Sequence, residues 1–124
     1  MKPLLISSGE PAGIGPDLCL TLAGCDLPVV VLGDRLVLES RAKELNQNIT
    51  FLEYDSETPL RTTAGCLTVL SVPCTGSVIS GQLNPENAAY VIELLTLGAT
   101  LCQNGDFSGL VTAPVHKANI NAGG

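Results

Sequence analysis

The chain has 124 residues, and its net charge of −6, with six basic residues scattered singly, leaves no cationic stripe to neutralise nucleic-acid phosphates. Hydrophobic residues make up 45% of it and aromatics 3%, with no Trp, so a core must be built from Leu, Val, Ile and Ala, a mix that suits an α/β protein. No apolar run approaches the ~18 residues of a membrane span, and the N-terminal MKPLLISSGE is too short in apolar residues for a signal peptide.

Strand and helix signals alternate along the chain, the pattern of a mainly parallel sheet flanked by helices. PLLISS reads as a buried strand. Pro16 sits where a helix favours its first residue, and DLCLTLAG runs as a short helix to a glycine stop at Gly24. LPVVVLG is a second buried strand. Asp34 then caps a helix through RLVLESRAKEL, with Leu36, Leu38 and Ala42 or Leu45 able to face the sheet and Arg35, Arg41, Lys43, Glu39 and Glu44 forming its solvated face.

NITFLEY is a third strand, DSETPLRTTA a surface loop, and GCLTVLSVP a fourth strand ended by Pro73. CTGSVISGQL fits either a hairpin or a loose crossover. The clearest helix follows: Asn84 as cap, Pro85 in first position, Glu86 complementing the dipole, and an apolar stripe of Ala88, Val91, Leu94, Leu95, Leu101 and Cys102 ending at Asn104 and Gly105. FSGLVTAPV is the last strand. The closing INAGG supplies no helix to cover it, so the chain is expected to be truncated with an uncovered sheet edge. The five cysteines, Cys19, Cys25, Cys66, Cys74 and Cys102, are odd in number and lack C-x-x-C spacing, so they read as free, mostly buried thiols in a reducing cytosol.

Two segments carry candidate chemistry. GEPAGIGPD, residues 9–17, matches neither nucleotide-binding glycine fingerprint, yet Gly13, Ile14 and Gly15 lead into a helix start whose unpaired N–H groups can hold a polar ligand. Glu10 and Asp17 disfavour a bare phosphate there, and a tight strand-to-helix turn explains the same spacing. The second segment is VTAPVHK, where Thr112 ends a strand and His116 and Lys117 follow just beyond it, at the end of an open sheet where ligands bind. His116 can orient or exchange a proton with a substrate and Lys117 can pair with an anion; a structural histidine and a solvated lysine fit equally.

GEPAGIGPDL, GQLNPENAAYVIELL and LVTAPVHKANINAGG, in this order and spacing, together resemble the 4-hydroxythreonine-4-phosphate dehydrogenase family, and the first is similar to the GDGIGPE opening of the isocitrate and 3-isopropylmalate dehydrogenases. The resemblance spans the whole chain. It implies a two-domain α/β homodimer of isocitrate/isopropylmalate dehydrogenase type, present only in part, with residues 1–124 its N-terminal portion.

The implied activity is NAD- or NADP-dependent oxidation and decarboxylation of the small phosphorylated hydroxy amino acid 4-phosphooxy-L-threonine to 3-amino-2-oxopropyl phosphate, with a divalent metal, in pyridoxal phosphate biosynthesis in the cytoplasm. The family's GHTE segment and three metal-binding histidines lie beyond residue 124, so the chain alone is expected to be inactive. What carries over is Glu10, Gly13, Ile14 and Gly15 as cleft-lining or cofactor-binding residues with Thr112, and His116 and Lys117 in supporting catalytic roles, none of them metal ligands. Gly13 is expected to need a backbone φ open only to glycine. A paralogue acting on 4-phospho-threonate or 4-phospho-erythronate, or a non-catalytic binding or dimerisation module, would share these features.

Overall fold

The computed structural model describes residues 2–25, 27–57, 60 and 64–113. Five strands form one parallel sheet: β1 (Leu4–Ser7), β2 (Val29–Gly33), β3 (Thr50–Glu53), β4 (Cys66–Ser71) and β5 (Gly109–Thr112), in the order β3-β4-β2-β1-β5. Among the described residues three α-helices accompany them: α1 (Gly15–Leu20), α2 (Arg35–Glu44) and α3 (Ala88–Gln103). The expected parallel α/β architecture is therefore present.

The pleat sends alternate side chains to opposite faces and so builds two cores. Leu5, Val30 and Leu32 point to one side and meet Tyr90, Val91 and Leu94 of α3, together with Val72 and Phe107. Val31, Leu67 and Val69 point to the other side and meet Cys19 and Leu20 of α1 and Leu38 and Ala42 of α2. β2 lies inside the sheet and is buried along its whole length, which explains its uncharged VVVLG.

The helix ends follow the signals in the sequence, with exceptions. Pro16 occupies the first turn of α1, but this helix ends at Leu20 and the chain continues through turns to Gly24, whose φ is +76°. Asp34 Oδ1 accepts the Leu36 N–H at 2.8 Å and caps α2. Leu38 and Ala42 face the sheet as expected, whereas Leu36 and Leu45 are exposed, because they fall outside the arc that α2 turns to β4. Asn84 Oδ1 accepts the Glu86 N–H at 3.0 Å, and Pro85–Asn87 forms a 3-10 turn before α3 begins at Ala88. Gly105, at φ +85°, closes α3.

The segment 74–83 is a turn carrying one antiparallel bridge, Ile79 with Gln82, so the hairpin reading of CTGSVISGQL holds in a minimal form. The five thiols are free, but only Cys19 is buried; Cys66 and Cys102 sit near element ends and Cys25 and Cys74 in loops, so these four are partly exposed. Much of the loop 55–64 and the INAGG segment lie outside the described residues. Among the described residues, no helix is long and apolar enough to cross a membrane.

Candidate active site

The carboxyl ends of β1, β2, β4 and β5 share one side of the sheet, where ligands of open α/β folds bind. β1 runs out at Ser7, and Gly9, at φ +71°, turns the chain into the Glu10–Gly15 loop. Gly15 then brings the start of α1 back onto the strand it left. A Cβ at this position would run into the Ser8 carbonyl oxygen and come within 3.1 Å of the Ala113 Cβ, so the approach admits only glycine.

Gly13 is different. Its φ is not in the left-handed region, and a Cβ there would meet Glu10 atoms at 3.4 Å or more, so the expectation of a glycine-only φ at Gly13 is corrected; the left-handed φ belongs to Gly9 and the steric need for glycine to Gly15.

This same approach brings the two candidate segments together. Ser7 is level with Thr112 in the sheet, and the Ala113 N–H donates to the Ser7 carbonyl at 2.9 Å. Thr112 is exposed at the end of β5, and Ile14 is 61% exposed on the loop. Glu10 is buried beneath the loop, and its Oε1 accepts the Ala12 N–H at 3.5 Å. His116 and Lys117 lie outside the described residues.

The loop is tied down on two sides. From the 74–83 turn, the Gly81 N–H donates to the Ala12 carbonyl at 2.9 Å. From α2, Arg41 donates through Nη2 to the Pro11 carbonyl at 2.8 Å, and through Nη1 to the Gly13 carbonyl at 2.9 Å and to Asp17 Oδ1 at 2.8 Å. Arg41 is 5% exposed, which overturns its reading as part of a solvated helix face. The signal was present: Arg41 stands three residues after Leu38 and directly before Ala42, on the buried stripe of α2. Asp17 is paired with a cation, so it does not present a bare negative charge to a ligand at the loop.

A second network braces the ends of β1, β2 and β4. The Asp34 N–H donates to the Tyr90 hydroxyl at 2.9 Å, and that hydroxyl lies 3.5 Å from Ser8 Oγ. Asp34 Oδ2 accepts the Cys74 N–H at 2.8 Å, leaving one carboxylate to cap α2 and hold the turn after β4. Burial pushes the Cys74 thiol up to about 12, with the neighbouring Asp34 carboxylate adding to the effect. Burial also pushes the Tyr90 phenol above its ordinary range. Both groups are therefore protonated donors at neutral pH, not nucleophiles.

Gly33 lies against Ser8 Oγ so closely that a side chain there would collide with it. Asn87, also buried, accepts the Gly76 N–H at 2.7 Å and donates to the Ser77 carbonyl at 3.1 Å, so it shapes the 74–83 turn rather than lining a cleft.

Between α2 and this turn lies a notch of about 240 Å³, bordered by Asp34, Ser40, Arg41, Glu44, Cys74 and Ser80. It is smaller than the ~300 Å³ or more of a typical small-molecule pocket. Among the described residues, no group of three or more His, Cys, Asp or Glu side chains could hold a metal ion. The described side chains supply a shaped, hydrogen-bonded wall at the sheet end, with no metal centre.

The family model described as pyridoxal phosphate biosynthetic protein PdxA matches residues 25–124. The chain belongs to the PdxA family. A 4-hydroxythreonine-4-phosphate dehydrogenase of Vibrio cholerae is 43% identical over 126 residues, covering 99% of this chain and 38% of that protein. Its namesake in Neisseria meningitidis serogroup A is 46% identical over 118 residues, covering 94% and 36%.

Among solved structures, a 4-hydroxythreonine-4-phosphate dehydrogenase from Burkholderia phymatum superposes with a TM-score of 0.88 at 20% identity, covering 100% of this chain and 39% of that one. One described as putative, from Salmonella typhimurium, gives 0.86 at 23%, covering 98% and 40%. At these identities the structures establish a shared PdxA fold. The chain spans 38% of the length of the Vibrio cholerae relative and 36% of the Neisseria one.

Proposed function

We propose that this chain is the N-terminal portion of a two-domain PdxA-family dehydrogenase that oxidises and decarboxylates 4-phosphooxy-L-threonine with NAD or NADP. The observation that carries the reading is the 43% identity to a 4-hydroxythreonine-4-phosphate dehydrogenase along 99% of this chain. The convergence of Gly15 with the end of β5 supports a ligand cleft at this end of the sheet.

The contribution of these residues is a wall of that cleft. Gly13, Ile14 and Gly15, over the buried Glu10, form one lip, and Thr112 the other, with His116 and Lys117 supporting the substrate. When bound, the nicotinamide cofactor would accept the hydride and a divalent metal would polarise the substrate oxygen, with the metal ligands contributed from outside residues 1–124. The enzyme acts as a homodimer in the cytoplasm.

The test is to assay the complete polypeptide for reduced nicotinamide formation with 4-phosphooxy-L-threonine, and in parallel with 4-phospho-threonate and 4-phospho-erythronate. Turnover of the first above the other two supports the assignment. Preference for either phosphorylated acid shows a paralogue, and ligand binding without turnover shows a non-catalytic module. The variant His116→Ala is expected to lose activity and keep its metal content; loss of metal would overturn the supporting role.

A further inference from the structure

Three acceptors from two different segments converge on one buried cation: the Pro11 and Gly13 carbonyls of the loop and the Asp17 carboxylate of α1 all bond the Arg41 guanidinium. Loop carbonyls ordinarily face water. Here the planar guanidinium fork fixes the orientation of two peptide groups within the Glu10–Gly15 loop, a task a point-charge ammonium does less well. The cation itself is anchored on α2, a helix packed against the sheet through Leu38 and Ala42.

We infer that Arg41 is a positioning residue: it sets the conformation in which the Glu10–Gly15 loop meets the bound ligand. It touches neither ligand nor reacting atoms and acts through the loop backbone. The inference rests on the proposed function only in placing the ligand against that loop.

The experiment compares R41M, R41K and D17N with the parent in the complete polypeptide, reading amide hydrogen exchange across residues 9–15 and the KM and kcat of the dehydrogenase reaction. Exchange in the loop rises in R41M and R41K while the sheet strands keep their protection. The loop meets the ligand in ground and transition state alike, so KM carries the loss, on the order of 100-fold for R41M and on the order of tenfold for R41K, with kcat little changed. D17N keeps both carbonyl contacts and shows the smallest effect.

Unchanged loop exchange in both arginine variants overturns the positioning role whatever the enzyme does. Raised exchange with unchanged KM, or a loss confined to kcat, overturns it differently: Arg41 then holds a loop that does not bind the ligand, and the cleft assignment falls instead. If R41M does not fold, R41K decides alone.

Discussion

The Tyr90 hydroxyl, on α3, accepts the backbone N–H of Asp34 at 2.9 Å, across the end of β2. The two residues belong to opposite layers of the molecule, since Tyr90 packs on one face of the sheet while Asp34 opens the helix on the other. This bond passes through the point where the sheet ends and the candidate site begins. Replacing Tyr90 with Phe keeps the ring and leaves the Asp34 N–H without its partner in a buried place. The expected cost is about 1–3 kcal/mol of stability. Urea denaturation of the Y90F variant checks it, and an unchanged midpoint would show that water satisfies the amide.

Asp34 itself serves two backbone donors, Leu36 N–H and Cys74 N–H. Asp34→Ala removes a helix cap and an acceptor for a partly buried amide together, for about 2–4 kcal/mol. Asp34→Asn keeps one carbonyl oxygen and is expected to lose about half as much. A loss in Asp34→Ala with none in Asp34→Asn would show that only the cap matters, because asparagine still caps α2.

The glycines of the loop are unequal. Gly15→Ala forces a methyl group into the Ser8 carbonyl, and the backbone must move, costing about 3 kcal/mol or more. Gly13→Ala places its methyl at ordinary contact distance and is expected to change stability by less than about 1 kcal/mol. Paired denaturation curves test this, and the reverse ranking would contradict the packing of α1 against β1.

Alkaline pH should weaken the fold. Burial pushes Cys19 up from 9.0 to about 12, and Cys74 rises to about 12 as well. Above about pH 9 the unfolded chain releases these protons while the native state keeps them, so the native state binds more protons and stability falls with rising pH. This stabilisation is whole below the unfolded value and is lost as pH climbs towards 12. Denaturation midpoints are expected to drop from about pH 9 upward, with a shallower slope in Cys19→Ala. A flat profile would mean that the thiols ionise in place.

The sheet was legible because its evidence is local: unbroken VVVLG for a strand buried on both faces, Pro16 and Pro85 at helix starts, Asp34 and Asn84 as caps. What escaped is what depends on contacts between distant residues. The charge of Arg41 suggests a solvated face although its place in the Leu38–Ala42 stripe is buried, and three acceptors supplied by other segments offset the cost of burying it. Tyr90 gave no signal within α3, since its partner lies 56 residues earlier. The motif does not distinguish Gly13 from Gly15, whereas the Ser8 carbonyl makes glycine a steric need at Gly15 alone of the two.

The strand order carries a consequence for synthesis. β1 precedes the other four described strands in the chain, yet it is an interior strand: β2 covers one flank, while the other pairs with β5, as in Leu4 with Gly109. A chain emerging from the ribosome can join β1, β2, β3 and β4 early, but β1 keeps a bare flank until α3 has been made and β5 follows it. Such long-range closure is slow and leaves a pairing edge open to other chains. The Ser7–Ala113 bond and the seat of Gly15 against Ala113 complete with β5. The part of the wall where Gly15 meets Ala113 is thus completed only once β5 has joined the four strands that precede it in the chain.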